Sequence, residues 1–328
     1  LSPLFDRPLE RDRIRNILVF QGGGIGDVRR LFPAMEGLRS AFPEARMATL
    51  TQFGDTLFRY LRPPDPRIEH IIYDLKGGHD GFAGKIRLVR SLRKRKFDLV
   101  FSPNYGLGMI EAMVLAHWMG APFRLGYDKD GAGFLYTAKK EISAGQCLQE
   151  QHVELLRKGG VPVSGGDGPS FGVPPEDVRQ GISLLRERGV SEKDLVITVG
   201  PEVKSGDPRQ SFPEYRSWPP DRYRGLILEL IRKYGDHHPK VIVLGRGAAH
   251  FAEGEGSPRT SDRELPPGVF DFSGGTTIAE AVALIACSRL FIGNDSGLLH
   301  VAVALGIPTV AIFGATSSRQ VIPPSDRT

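Results

Sequence analysis

Apolar positions along the chain follow two different periods. Short runs of adjacent apolar residues, such as 14–20 (IRNILVF) and 195–199 (LVITV), are typical of strands that are buried on both faces. Longer stretches, such as 27–42, carry apolar residues three and four positions apart, which is typical of amphipathic helices. The two kinds of segment alternate. The sequence therefore predicts an α/β protein with doubly wound parallel sheets.

The predicted elements fall into two groups, separated by a stretch rich in Gly, Pro and Ser at 162–175 (PVSGGDGPSFGVPP). We expect this stretch to link domains at 1–165 and 166–328, with ligands bound in a cleft between them. The predicted strands are 14–20, 45–51, 68–75, 98–102, 195–199, 240–244, 290–292 and 309–313. The predicted helices are 27–42, 85–96, 107–119, 174–189, 221–234, 276–287 and 297–305.

The amino-acid composition indicates which general class of protein this chain belongs to. With 40% hydrophobic and 25% charged residues, the 328-residue chain has the balance of a soluble globular protein. No apolar run reaches the roughly 20 residues of a membrane span, and the charged first residues do not form a secretory signal. Two cysteines exclude a disulfide framework and a cysteine-based zinc site, so we expect a cytoplasmic protein. The net charge of +5 weakly favours an anionic partner.

A glycine-rich loop, 21–27 (QGGGIGD), lies between a predicted strand and a predicted helix. It is not a dinucleotide fingerprint, because the third glycine of that motif would fall on Asp27. It is not a P-loop either, since no Gly-Lys-Ser/Thr follows. Two interpretations of Asp27 remain: a helix N-cap, or a general base.

A second motif, 291–314 (FIGNDSGLLHVAVALGIPTVAIFG), places a strand, a turn and a small-residue helix in succession. The free N–H groups at the start of that helix, residues 296–298, suit a phosphate or diphosphate. Asp295 fits sugar hydroxyls or a helix cap. His300 could donate to a phosphate, or be a buried histidine bonded to backbone.

The two motifs together resemble the ADP-heptose:lipopolysaccharide heptosyltransferase family, glycosyltransferase family 9, which has the GT-B fold. The resemblance runs from about residue 17 to 318, with KFDLVFSP, FRLGY and VIVLGRG in the same order. It implies two Rossmann-like domains facing across a cleft, the N-terminal one for the acceptor and the C-terminal one for the donor. It also implies an inverting transfer from an ADP-sugar co-substrate, with no metal and no other cofactor. Because family members continue further, we expect the C-terminal domain to be shortened here.

The resemblance assigns roles residue by residue. Asp27 matches the catalytic base. The donor sugar and diphosphate positions are Arg216, Asn294, Asp295, Ser296, Gly297 and His300. The nucleotide-pocket positions are Gly200, Pro201, Gly245 and Gly247. For the acceptor we expect the loop glycines Gly23 and Gly24, and also Arg29 and Arg30, which otherwise are ordinary surface residues.

The predicted helix 85–96 (KIRLVRSLRKRK) is strongly basic. It is either a solvated helix face or a contact for an anionic lipid. We expect a nucleotide-sugar donor and an anionic glycolipid acceptor at the inner face of the cytoplasmic membrane, with peripheral attachment. No nucleic-acid-binding module is apparent. Three alternatives remain: a small-molecule or protein acceptor, a non-catalytic nucleotide-sugar-binding protein, and an epimerase of the same fold.

Overall fold

The computed structural model describes residues 9–52, 56–62, 65–74, 77–104, 108–163, 171–201, 217–245, 265–314 and 316–322. The chain divides into two compact units, residues 1–171 and 172–328. The expected domain boundary at 165 lies outside the described residues. So does the centre of the expected linker, 164–170.

In the first unit, strands and helices alternate along the chain. The strands are β1 (Asn16–Phe20), β2 (Arg46–Thr51), β3 (Glu69–Ile72), β4 (Leu99–Ser102), β5 (Phe123–Asp128) and β6 (Ala138–Glu141). The helices are α1 (Ile25–Ala41), α2 (Gly81–Lys94), α3 (Gly108–Trp118) and α4 (Leu148–Lys158). Within the described residues these strands form one sheet, ordered β3-β2-β1-β4-β5-β6, and every pairing is parallel.

Burial on both faces explains the continuous apolar strands of this sheet. Leu18 of β1 packs in one cluster with Leu88 of α2 and Leu115 of α3. Ile17 and Val19 point to the opposite face, because side chains alternate along a strand, and they are also fully buried. Helix α1 packs against α4. The first unit is therefore a parallel sheet covered by helices on both faces.

The second unit repeats this alternation. Its strands are β7 (Leu195–Gly200), β8 (Pro239–Val243), β9 (Val269–Asp271), β10 (Leu290–Asn294) and β11 (Thr309–Ile312). Its helices are α5 (Pro175–Glu187), α6 (Pro220–Lys233), α7 (Ile278–Ala286), α8 (Gly297–Ala304) and α9 (Ser318–Val321). Within the described part of this unit the sheet order is β11-β10-β7-β8-β9, again with parallel pairing throughout.

The prediction of an α/β chain with two parallel sheets is confirmed. Two boundaries that matter for function were wrong: α1 begins at Ile25, before Asp27, and β10 extends to Asn294. The sequence analysis also missed β5, β6, α4 and β9. Strands β6 (AKKE) and β9 (VFD) are short strands at the edges of their sheets. Strand β6 is mostly charged and β9 has only three residues, so neither shows the apolar run that predicts a buried strand.

Candidate functional site

The glycine loop of the first unit holds the Asp27 carboxylate against its own backbone. The Gly24 N–H donates to Asp27 Oδ2 at 2.7 Å. Gly23 has φ of +106°, and a Cβ built on it would lie 2.1 Å from the same oxygen. A side chain at position 23 would therefore be strained and would displace the carboxylate. Glycine at this position is what allows the loop to close on Asp27.

Side chains from two neighbouring strand ends anchor the loop. The Gly22 N–H donates to Asn104 Oδ1 at 3.1 Å, just after β4. The Thr51 hydroxyl at the end of β2 donates to Gln21 Oε1 at 2.9 Å. Because β2, β1 and β4 are parallel neighbours, these contacts all lie at one carboxyl edge of the sheet. The sequence analysis missed Gln21, Thr51 and Asn104, although polar residues at adjacent strand ends are a readable signal.

Asp27 is the third residue of α1, with Gly24 as N-cap, so the prediction that it is itself the N-cap was wrong. It serves the helix end differently, by accepting a hydrogen bond from the N-cap amide. Its other oxygen, Oδ1, is 3.2 Å from Arg30 Nη2, and 28% of the side chain is exposed. Each oxygen of the carboxylate thus has a partner that orients it, and part of the side chain is exposed to solvent. Its role as a general base stays a prediction.

Arg29 and Arg30 are not ordinary surface residues. Arg30 is only 8% exposed, and its Nε donates to the Gly26 carbonyl at 3.1 Å. Arg29 Nη1 donates to Gln149 Oε1 on α4 at 2.5 Å, and burial lowers the pKa of this guanidinium to about 10. Both groups have partners within the chain. A contact of either with an acceptor stays a prediction.

Tyr127 and His152, which the sequence analysis missed, form a buried pair near Arg30. The hydroxyl of Tyr127 and Nδ1 of His152 are 2.7 Å apart. Burial, with a smaller effect of the nearby Arg30 charge, lowers the pKa of His152 to about 3. His152 is therefore neutral at ordinary pH and adds no positive charge beside Arg30.

In the second unit, Asn294 connects two distant parts of the chain. It is the last residue of β10 and is fully buried. Its Nδ2 donates to the Pro201 carbonyl at 2.5 Å, and its Oδ1 accepts from the Trp218 N–H at 3.1 Å. The side chain thus joins the end of β7 to the residues before α6. Its predicted contact with a donor stays a prediction.

Asp295 and His300 lie together at the carboxyl edge of this sheet, and both are buried. The Thr316 hydroxyl donates to Asp295 Oδ2 at 2.7 Å, and His300 Nε2 is 3.9 Å from Asp295 Oδ1. Thr316 follows β11 and Asp295 follows β10, which are parallel neighbours. The arrangement supplies a carboxylate and an imidazole side by side at the start of α8.

The first turn of α8 offers donors to an anion. Ser296 is the N-cap, but its side chain makes no capping bond, and its buried hydroxyl has no hydrogen-bond partner among the residues that the structure describes. The helix leaves the first backbone N–H groups, beginning at Gly297, without helical partners. A buried hydroxyl without a partner beside such amides is the arrangement that a bound oxyanion satisfies.

The predicted nucleotide positions are only partly described. Gly200 ends β7, and a Cβ on it would lie 2.8 Å from the Phe291 ring, so close strand packing alone requires this glycine. Pro201 accepts the hydrogen bond from Asn294, and the Gly245 carbonyl accepts one from the Gly274 N–H. Gly247 and Arg216 lie outside the described residues.

The described residues show neither a metal-binding cluster nor a membrane-spanning helix. They contain no group of three or more His, Cys, Asp or Glu side chains that could hold a metal ion. In the same part of the chain, no helix is both long and apolar enough to cross a membrane.

Comparison with known proteins identifies the family. Residues 85–328 match the model of glycosyltransferase family 9 (heptosyltransferase). Lipooligosaccharide heptosyltransferase 2 of Haemophilus influenzae is 32% identical over 95% of this chain and 87% of its own length. Lipopolysaccharide heptosyltransferase 2 of Salmonella typhimurium is 26% identical over 92% of this chain and 83% of its own.

Among solved structures, Escherichia coli ADP-heptose LPS heptosyltransferase II superimposes with a TM-score of 0.69 at 20% identity. The alignment covers 95% of this chain and 88% of that one. The shared fold is that of the GT-B heptosyltransferases. From the family match and the identity to the Haemophilus enzyme, the chain belongs to glycosyltransferase family 9, the heptosyltransferases, and is a glycosyltransferase.

Proposed function

We propose that this enzyme transfers a heptosyl residue from ADP-heptose to a hydroxyl group of a lipopolysaccharide core, with inversion at the anomeric carbon. The related enzymes carry lipopolysaccharide or lipooligosaccharide heptosyltransferase names, and the E. coli structure is named for ADP-heptose. The observation that carries the proposal is the partly exposed Asp27 carboxylate, oriented by Gly24 and Arg30 at the sheet edge of the first unit.

In this proposal Asp27 is the general base, and the first unit binds the acceptor. The acceptor oxygen attacks the anomeric carbon while Asp27 takes its proton. The bond between the anomeric carbon and the diphosphate oxygen breaks, and ADP leaves with the electron pair. A single displacement inverts the configuration. A base so positioned contributes roughly 10²–10⁴-fold to the rate.

The second unit binds the donor in this proposal. The amides at the start of α8 and the Ser296 hydroxyl, which has no partner within the described residues, are suited to the diphosphate, the leaving group that gains negative charge during transfer. His300 would donate to the same group, and Asp295 would accept from sugar hydroxyls. Arg216 would add a positive charge at the diphosphate. Gly200, Pro201 and Gly245, which lie at or just after the ends of β7 and β8, would line the nucleotide.

We further propose that the transfer needs no metal ion, because the α8 amides, His300 and Arg216 neutralise the leaving diphosphate. Activity that is unchanged by a chelator is the expected result. Activity that requires added Mg²⁺ or Mn²⁺ would contradict this part of the proposal.

The test is a transfer assay with a core acceptor that lacks the heptose, read by mass spectrometry of the product. ADP-heptose should yield a product one heptosyl unit heavier, whereas UDP-glucose and GDP-mannose should not. Thermal shifts with ADP, UDP, GDP and CDP provide a second readout, since a ligand stabilises the fold that binds it. A shift with ADP that is lost in Arg216→Ala supports the donor assignment. A shift with UDP or GDP alone would overturn it.

A further inference from the structure

Two exposed apolar side chains lie at the starts of two helices, at the carboxyl edge of the first sheet. Phe82 is in the first turn of α2 and is 74% exposed, and Ile110 is in the first turn of α3 and is 55% exposed. We call these two residues the apolar tip. Ile72, the last residue of β3, is also exposed but points to the opposite face of the sheet, because its neighbours Ile71 and Tyr73 pack on the side of α2 and α3.

Glu111 joins the starts of these two helices. Its Oε1 accepts from the Tyr73 hydroxyl at 2.6 Å and is 2.9 Å from Lys85 Nζ. Lys85 is one helical turn after Phe82, on the same side of α2, and Ile110 precedes Glu111 in α3. The two residues of the apolar tip therefore lie at helix starts that a shared ion pair joins.

The exposed side of α2 adds a strong positive charge. Residues 81–94 contain no acidic residue, and the stretch 85–96 carries seven basic ones. Four of these line an open groove of about 540 Å³ on the helix surface: Arg87, Arg90, Lys94 and Arg95. Arg95 pairs with Glu69, and Arg87 donates to the Gly78 carbonyl. The basic residues thus form a continuous cationic side that begins next to Phe82.

A purely solvated helix face explains the charges but not the exposed aromatic and aliphatic residues at its end. Apolar side chains beside a row of Lys and Arg are the combination that an anionic bilayer binds, by shallow insertion and charge attraction. A single-stranded nucleic acid would stack on Phe82, but Ile110 offers no stacking surface. The observations therefore favour a lipid surface.

We propose that the apolar tip and the basic side of α2 form one docking surface for an anionic phospholipid bilayer. This proposal rests on the proposed function, because it supplies the way in which the enzyme reaches a lipid-linked acceptor. Helix α3, which carries Ile110, follows β4, and β4 is next to β1 at roughly 5 Å, the ordinary strand spacing. Docking at the apolar tip therefore places the Asp27 loop, at the same edge of the sheet, next to the lipid headgroups.

The experiment is co-sedimentation of the full chain with vesicles. One set is pure phosphatidylcholine, and the other is equal parts phosphatidylcholine and phosphatidylglycerol. The tip variant is Phe82→Ser with Ile110→Ser, and the charge variant is Arg87→Gln with Arg90→Gln. Matched controls in the second unit are Leu228→Ser with Val310→Ser, and Arg222→Gln with Arg224→Gln, which are also exposed.

We expect the unaltered chain to bind the anionic vesicles and not the neutral ones. The charge variant should bind about 25-fold more weakly, at roughly fivefold for each basic residue. The tip variant should bind at least about tenfold more weakly. Both controls should bind like the unaltered chain. The proposal is overturned if the unaltered chain does not bind anionic vesicles, or if the controls lose as much binding as the tip and charge variants.

A transfer assay separates this proposal from the proposed function. The tip variant should keep its activity on a water-soluble core oligosaccharide and lose activity on the same acceptor embedded in vesicles. Equal loss on both acceptors contradicts the docking role. If the unaltered chain binds anionic vesicles but transfers no heptose to either acceptor, the proposed function fails while the docking surface stands.

Discussion

Arg30 lies one turn after Asp27 in α1, and its Nη2 is 3.2 Å from Oδ1 of the Asp27 carboxylate. The Gly24 amide binds the other oxygen, and Arg30 is itself held by the Gly26 carbonyl and shielded from solvent. The carboxylate is therefore fixed in direction before any substrate arrives. We infer that Arg30 is a positioning residue for Asp27.

The first prediction separates positioning from acceptor binding. Arg30→Gln should lower kcat by about 10²-fold, since a small misplacement of a reacting group has this effect, and leave the KM for the acceptor nearly unchanged. Arg30→Lys keeps the charge but not the bond to Gly26, and it should be intermediate. Steady-state kinetics over a range of acceptor concentrations provide both constants. A large rise in the acceptor KM at constant kcat would instead place Arg30 in contact with the acceptor.

The second prediction concerns the loop glycines. Gly23→Ala should lower the free energy of unfolding by about 1–3 kcal/mol, because φ is +106° and the new Cβ overlaps the carboxylate. Gly24→Ala is the matched comparison, since a Cβ there meets no atom of the described residues within 4 Å and φ is −94°. It should lower stability by less than about 1 kcal/mol, the cost of alanine at an N-cap. Urea unfolding measures both, and equal losses would contradict the assigned role of Gly23.

The third prediction concerns Asn294, whose side chain donates a hydrogen bond to one backbone carbonyl and accepts one from a backbone N–H. Asn294→Ala should lower the free energy of unfolding by roughly 2–4 kcal/mol, because the buried Pro201 carbonyl and Trp218 N–H lose their partner. ADP affinity, measured by calorimetry, should fall as well, since the variant releases the end of β7. Asn294→Asp keeps an acceptor for the Trp218 N–H, but its carboxylate faces the Pro201 carbonyl, which is also an acceptor. The two oxygens repel each other, so this variant should be no more stable than the alanine variant.

The fourth prediction concerns pH. His152 has its pKa lowered to about 3 in the folded chain, against an ordinary 6.5 when unfolded. Between these values the unfolded state binds one more proton, so the free energy of unfolding falls as the pH falls from 6.5 toward 3. At pH 5 this contribution amounts to about 2 kcal/mol.

Urea unfolding at pH 7.5 and pH 5 tests this effect. His152→Gln should lose about 2 kcal/mol less than the unaltered chain over this interval. His237→Gln, at an exposed histidine, should show the same pH dependence as the unaltered chain. An unchanged dependence in His152→Gln would mean that His152 is not the titrating group.

Local pattern was enough to predict the two parallel sheets, because strands buried on both faces have continuous apolar runs, as in β1 and β10. It was not enough for β6, in which three of the four residues 138–141 are charged and which forms a strand only because β5 provides the pairing edge. The motifs likewise predicted Asp27 and the turn at 294–297 as candidate site residues. The position of Asn104 just after a strand was a signal that could have been read, but its bond to Gly22 joins residues 82 positions apart. His152 gave no such signal, because it meets Arg30 only through the folded chain.

The role of Asp27 as general base is the central claim, and the kcat of Asp27→Asn tests it most directly. Asparagine has nearly the same shape and cannot take the proton, so kcat should fall by roughly 10²–10⁴-fold. Asp221→Asn, at an exposed aspartate in the first turn of α6, is the matched control and should transfer heptose at the normal rate. Donor affinity should be unchanged in both variants. An Asp27→Asn enzyme with a kcat near that of the unaltered chain would contradict the account.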